Sequence, residues 1–208
     1  MSQEQAPQVY LISPPSFDPQ AFCAVLETIF AQTPIACVRL AISAHSEDQI
    51  IRMCDPVREL AHRHDVPLVL DEHYMLAERL GLDGVHLDDG AKTVAAARKA
   101  LGEDAIIGSF CGTSRHEGMS AGERGADYVA LGPIGANNLG DGRQVERDVF
   151  EWWSATIELP IVAQGALDPE GIASFAPITD FFAIGAEIWD HEDPAAELAR
   201  LCAAISAT

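Results

Sequence analysis

The chain contains 208 residues, 48% of them hydrophobic, and its formal net charge at pH 7 is −19. A chain of this length can form one large α/β domain, and such an acidic surface repels nucleic acid and anionic membranes, so we expect neither as a partner. No apolar run reaches the roughly 20 residues needed to span a bilayer, and the N-terminus lacks the basic and apolar parts of a secretory signal, which favours a cytoplasmic location.

Short apolar runs recur eight times along the chain. Several are nearly continuous rather than alternating, which is typical of parallel strands that are buried on both faces. The runs cover residues 9–12, 37–42, 67–70, 84–87, 105–108, 128–131, 161–163 and 181–184.

A helical pattern follows each of these runs. Asp18 and Ser46 stand where N-caps are expected, and Gly81 and Gly102 stand where helices end. The patterns cover residues 19–32, 46–64, 74–80, 93–101, 116–124, 145–157, 169–175 and 194–205. Eight strand–helix units predict an α/β fold of the single (β/α)8 TIM-barrel type over residues 9–208, preceded by a flexible segment at 1–8. A doubly wound open sheet is the alternative.

Polar residues cluster where the third and fourth runs end. In a barrel these positions meet at one mouth, and carboxylate oxygens there suit Mg²⁺ held together with substrate phosphate. The alternative is that the acids cap the helices that follow. The residues are Asp71, Glu72, His73, His86, Asp88 and Asp89.

The later runs end in small residues. Gly165 and Ala166 follow the seventh run, and Gly185 and Ala186 follow the eighth. Loops at these two places commonly bind phosphate through backbone N–H groups. The alternative is that both glycines only make tight turns. Cys111, after the fifth run, lies near the same mouth, and we expect it to pack there rather than to act as a nucleophile.

The segments 9–12, 84–87, 125–129 and 132–134 resemble thiamine phosphate synthase and its thiazole tautomerase relatives, in the same order and over nearly the whole chain. The resemblance implies a (β/α)8 barrel. It also implies a reaction that joins an aminopyrimidine pyrophosphate to a thiazole phosphate with the help of Mg²⁺. The ligand would then be a small phosphorylated heterocycle.

Carried over residue by residue, the resemblance implies a catalytic role for Arg39 and metal binding for Glu72, with Asp88 or Asp89 as the second ligand. Arg143 and His73 are the further catalytic candidates, because they could compensate for family residues that this chain lacks. Substrate contacts are expected at Asp71, His86, Cys111, Gly132, Asn137, Gly165, Ala166, Gly185 and Ala186.

The chain departs from the family in the loop after Gly132. Two threonines and a lysine of the family loop are absent, which leaves Arg143 as its cation. The alternatives are therefore a barrel that binds such a ligand without the transferase reaction, or an isomerase with His86 or His73 as acid and base. The tandem Trp152 and Trp153 suggest one core and one surface residue and leave a homodimer open.

Overall fold

The computed structural model describes residues 6–43, 46–137 and 139–206. Eight parallel strands pair in sequence order, and β1 also pairs with β8, so the sheet closes into a barrel and the open-sheet alternative is wrong. The strands are β1 Gln8–Ile12, β2 Ile35–Leu40, β3 Leu68–Asp71, β4 Gly84–Leu87, β5 Ile106–Phe110, β6 Tyr128–Leu131, β7 Ile161–Gln164 and β8 Phe181–Ile184.

Helices surround this barrel, and their starts follow the predicted caps. The Asp18 carboxylate accepts the Ala21 N–H at 2.9 Å, and the Ser46 hydroxyl accepts the Gln49 N–H at 3.4 Å. The helices are α1 Pro19–Gln32, α2 Glu47–Arg63, α3 Tyr74–Leu80, α4 Val94–Leu101, α5 Arg115–Glu123, α6 Arg147–Thr156, α7 Pro169–Phe175, α8 Ala186–Trp189 and α9 Pro194–Ser206, with a 3₁₀ turn at Ala176–Ile178.

The short helix α8 and the 3₁₀ turn were not predicted from the sequence. Of the segment expected to be flexible, residues 1–5 lie outside the described residues, while Gln8 already belongs to β1. No helix in the described part of the chain has the length and apolar character needed to cross a membrane.

Strand side chains divide the interior into two apolar layers. Outward-facing residues such as Leu11, Leu40 and Leu70 pack beneath the helices in the larger cluster. Inward-facing residues such as Tyr10 and Val69 fill the barrel in a second, smaller cluster. Because both faces of every strand are covered, the runs had to be apolar throughout, which is why they did not alternate.

A glycine in β5 makes room for an aromatic ring inside the barrel. A Cβ placed on Gly108 would lie 1.9 Å from the Tyr128 ring, far inside van der Waals contact. The absence of a side chain at this position therefore lets Tyr128 extend across the barrel interior, where it is 8% exposed.

The tandem tryptophans of α6 point in different directions. Trp153 is 1% exposed, and its indole N–H donates to the Leu159 carbonyl at 2.8 Å. Trp152 is half-buried, and the Arg115 guanidinium lies 5.3 Å from its ring centroid, within range of a cation–π contact. The expected division into one core and one surface residue is confirmed.

Candidate active site

Two cavities open at the mouth formed by the carboxyl ends of the strands. The first, of about 440 Å³, lies among the ends of β1, β2, β7 and β8; the second, of about 370 Å³, lies among the ends of β4, β5 and β6. The loop at residues 132–143 contributes to both, through Asn137 and Leu139 to the first and through Gly140 and Arg143 to the second. This is the end of the barrel where the fold places its chemistry.

Arg39 is held at the wall of the first cavity by a carboxylate from the next strand. Its guanidinium donates through Nε to Asp71 Oδ1 and through Nη2 to Asp71 Oδ2, the latter at 2.9 Å, and Nη1 lies 3.5 Å from Gln164 Oε1. Burial by itself would lower the pKa of Arg39, but the Asp71 carboxylate outweighs it, so the pKa is raised and the cation is retained.

Asp71 is therefore a partner of Arg39 that fixes the guanidinium in place. Burial raises the pKa of Asp71, and Arg39 opposes that rise. The two oxygens accept in the paired geometry that an arginine fork prefers. Arg39 is the one lysine or arginine among the described residues that line the first cavity.

Beneath this ion pair, three aromatic side chains form a buried chain of hydrogen bonds. The hydroxyls of Tyr10 and Tyr128 are 2.6 Å apart, and the Tyr128 hydroxyl lies 2.9 Å from His86 Nδ1. His86 is 1% exposed, its Nε2 has no partner in the structure, and burial lowers its pKa well below the usual value. His86 lines neither cavity, so the structure places it under the mouth rather than against a ligand.

Two acids approach each other beside the second cavity. The Asp88 N–H donates to Glu72 Oε1 at 2.6 Å, and Glu72 has a left-handed backbone with φ of 62°. Partial burial, with a contribution from the Asp88 carboxylate, raises the pKa of Glu72 to about 7, although the Asp88 N–H opposes the rise. A carboxylate held next to another in this way is stabilised by a cation.

Other acids around the second cavity are already engaged by the protein. Asp89 accepts the Thr93 hydroxyl at 2.6 Å, but the N-cap position of α4 is occupied by Thr93, so Asp89 is not the cap of that helix. Ser114 caps α5 by accepting the Glu117 N–H at 3.2 Å, while the Glu117 carboxylate accepts the Ala91 N–H at 3.3 Å.

The donor set fits Mg²⁺ only with help from a substrate. Within residues 6–43, 46–137 and 139–206, no group of three or more His, Cys, Asp and Glu side chains is arranged to hold a metal. Magnesium commonly uses one or two carboxylates together with waters and substrate phosphate oxygens. Glu72 and Asp88 supply the two carboxylates that such a site needs. Asp89 is less suited to this role because it accepts the Thr93 hydroxyl.

Arg143 lies at the rim of the second cavity, and 77% of its side chain is exposed. Its Nε donates to Asp141 Oδ2 at 2.7 Å, and this contact raises the pKa of Arg143. Lys92 lines the same cavity. Both cations therefore stand on the side of the mouth that also carries the candidate metal ligands.

The small residues after β7 and β8 do meet at the first cavity, which Gly165, Gly185 and Ala186 all line. Gly165 has φ of 88°, and a Cβ there would lie 2.8 Å from Pro133, so the loop at residues 132–143 packs directly over it. Ala166 also has a positive φ, 55°, but does not line the cavity.

The remaining expected contacts are spread around the mouth. Asn137 lines the first cavity, and its side-chain oxygen accepts the Leu139 N–H at 2.9 Å, while Gly132 lines the second. Cys111 also lines the second cavity, but burial raises its pKa to about 11, which suits a packed thiol. His73 is exposed in front of α3 and lines neither cavity.

The sequence did not single out Gln164, Lys92 or Glu187, although each lines a cavity. Gln164 ends β7 as a buried polar residue, 3% exposed, and a polar side chain closing an apolar run was a usable signal. Glu187 carried no signal beyond that of an acid in the first turn of a helix.

Comparisons with known proteins identify relatives over nearly the whole chain. A family model described as thiamine monophosphate synthase matches residues 9–187. Thiamine-phosphate synthase of Rhodospirillum centenum is 36% identical over 195 residues, covering 92% of this chain and 94% of the relative. The enzyme of the same name from Erythrobacter litoralis is 33% identical over 204 residues, covering 94% and 95%. In fold, the chain is similar to thiamine phosphate pyrophosphorylase from Pyrococcus furiosus, with a TM-score of 0.82 over 96% of both chains at 19% identity.

Proposed function

The chain belongs to the thiamine monophosphate synthase family, and we propose on that premise that it makes thiamine phosphate. In this reaction the thiazole nitrogen attacks the methylene carbon of an aminopyrimidine pyrophosphate. The new carbon–nitrogen bond forms as the carbon–oxygen bond breaks, and pyrophosphate leaves with the electron pair.

The observation that supports this best is the pair of cavities at one mouth. A reaction between two substrates needs two neighbouring sites, and each cavity has the size of a small-ligand site, at about 440 and 370 Å³. Because the loop at residues 132–143 borders both, it can close over two ligands and keep water from the reacting atoms.

The second cavity has the chemistry to hold the pyrophosphate. Glu72 and Asp88 would hold Mg²⁺ together with pyrophosphate oxygens, and the bound ion would neutralise charge on the leaving group. Lys92, which follows β4, and Arg143, in the loop at residues 132–143, line the same cavity and would supply positive charge to the pyrophosphate. Arg143 must leave Asp141 in order to contact the substrate.

The first cavity then takes the thiazole phosphate. Arg39 is its cation, and the Asp71 carboxylate and Gln164 keep the guanidinium in one orientation, so little reorganisation is needed when the substrate phosphate binds. The isomerase alternative gains no support from the geometry, because neither His86 nor His73 lines a cavity.

Turnover tests this proposal directly. The purified chain, given both precursors and Mg²⁺, should release thiamine phosphate and pyrophosphate and should rescue growth of a thiamine auxotroph. Glu72→Gln should lower kcat about 10²–10³-fold, the cost of losing one preorganised charge contact. Glu78→Gln, an exposed acid in α3, is the matched control and should keep full activity.

A different result would favour the binding-only alternative. If no product forms while the chain still binds thiazole phosphate, the transferase reaction is not the activity of this chain. If product forms and Glu72→Gln is as active as the control, Glu72 does not hold the metal.

A further inference from the structure

Two backbone N–H groups beside the first cavity point at a single side chain. The Gly185 N–H donates to Glu187 Oε2 at 2.8 Å, and the Leu167 N–H donates to Glu187 Oε1 at 3.1 Å. One donor follows β8 and the other follows β7, so two separate loops converge on the two oxygens of one carboxylate. Converging backbone N–H groups of this kind form a site for an anion, and here Glu187 is the anion.

Helix capping does not account for both contacts. The bond to Gly185 joins residues two apart and is the local contact expected of an acid at the start of a helix. The bond to Leu167 reaches 20 residues back along the chain, to the neighbouring loop. Glu187 therefore fills the space between the two loops in which a phosphate group was expected.

The charges around the first cavity also oppose the binding of a phosphate dianion. Glu187 and Asp190 both line it, and the one facing cation among the described residues, Arg39, is already paired with Asp71. A phosphate dianion that entered beside Glu187 would meet like charge and would find two of its N–H donors taken.

We propose that Glu187 is a specificity-determining residue that competes with the phosphate of the thiazole substrate for the N–H groups of Gly185 and Leu167. Phosphate and the Glu187 carboxylate occupy these donors in turn, so the substrate phosphate binds only after the side chain has moved away. This inference rests on the proposed function for the identity of the substrate, but the competition itself can be measured with inorganic phosphate.

Calorimetric titration with inorganic phosphate measures the competition without turnover. Glu187→Ala frees both donors, and we expect phosphate to bind about tenfold more tightly or better, since hydrogen bonds to a charged group are worth more than that factor. Glu187→Gln should give a smaller gain in the same direction, because the amide keeps one acceptor but loses the charge. It also preserves the side-chain shape if the alanine variant fails to fold.

Two control variants distinguish the effect of freeing the N–H donors from the effect of removing a negative charge. Asp190→Asn removes the same charge from the same cavity and should change phosphate affinity about threefold or less, as for an exposed charge. Glu158→Gln is exposed before β7, at the opposite end of the barrel, and should change nothing.

The proposal is overturned if both Glu187 variants, shown by circular dichroism to be folded, bind phosphate no better than the parent chain. It is also overturned if Asp190→Asn gives the same gain as Glu187→Gln. In an active enzyme, Glu187→Ala should lower KM for the thiazole phosphate and leave KM for the pyrimidine pyrophosphate unchanged. Failure of turnover alone would count against the proposed function and not against this competition.

Discussion

Replacing Arg39 by methionine tests whether the buried ion pair serves catalysis as well as stability. The side chains of Arg39 and Asp71 are only 12% and 21% exposed, so Arg39→Met leaves a largely buried carboxylate without its partner. Loss of one member of such a pair costs about 3–5 kcal/mol, and we expect about 3 because Asp71 keeps some contact with water. For a domain of this size that corresponds to a fall in Tm of roughly 6–12 °C.

The double variant Arg39→Met/Asp71→Leu separates the two roles. An apolar pair of similar volume is often as stable as the buried ion pair, so denaturant unfolding should show most of the lost free energy restored. Turnover should remain about 10²–10³-fold below the parent chain, because the cation facing the first cavity is still missing.

Arg200→Met is the matched control, since Arg200 is 55% exposed in its pair with Glu197 and its loss should leave Tm nearly unchanged. Recovery of turnover in the double variant would refute a catalytic role for Arg39. If Arg39→Met alone were as stable as the parent chain, the Arg39–Asp71 ion pair would not contribute to stability as argued.

Three further predictions concern the barrel interior and the metal. Gly108→Ala should lower the free energy of unfolding by about 1–3 kcal/mol, because the new methyl displaces the Tyr128 ring, and unchanged urea unfolding would contradict this packing. Because burial lowers the pKa of His86, the folded chain keeps it neutral while the unfolded chain takes up a proton. His86 should therefore lower the free energy of unfolding by up to about 1.4 kcal/mol per pH unit below about pH 6.5, and His86→Gln should remove this contribution to the slope. Removal of Mg²⁺ with a chelator should abolish product formation and leave far-ultraviolet circular dichroism unchanged, whereas loss of the fold would show that the metal is structural.

Much of the architecture followed from local pattern. Eight apolar runs with helical patterns between them gave the number and order of the βα units, and β4, β6 and β8 have the bounds expected from their runs. Asp18 and Ser46 cap the helices that they were expected to cap. These features depend on residues a few positions apart, and the chemistry that fixes them is present in the sequence.

The sequence predicted only part of the candidate site. Strand order placed Gly165 and Gly185 at one mouth, because the carboxyl ends of parallel strands meet there. The sequence could not show that Glu187 would occupy the N–H groups beside them, since its bond to Leu167 exists only once the two loops lie side by side.

What the sequence determined by itself is the barrel, its family and the set of polar residues at the strand ends. What only the tertiary structure decided is how those residues are paired: Arg39 with Asp71, His86 with Tyr128 beneath the mouth, and Glu72 with the Asp88 N–H. The physical reason is distance along the chain. Periodicity fixes which face of a strand a side chain occupies, but strand register and barrel closure determine which groups from different strands come within hydrogen-bonding distance.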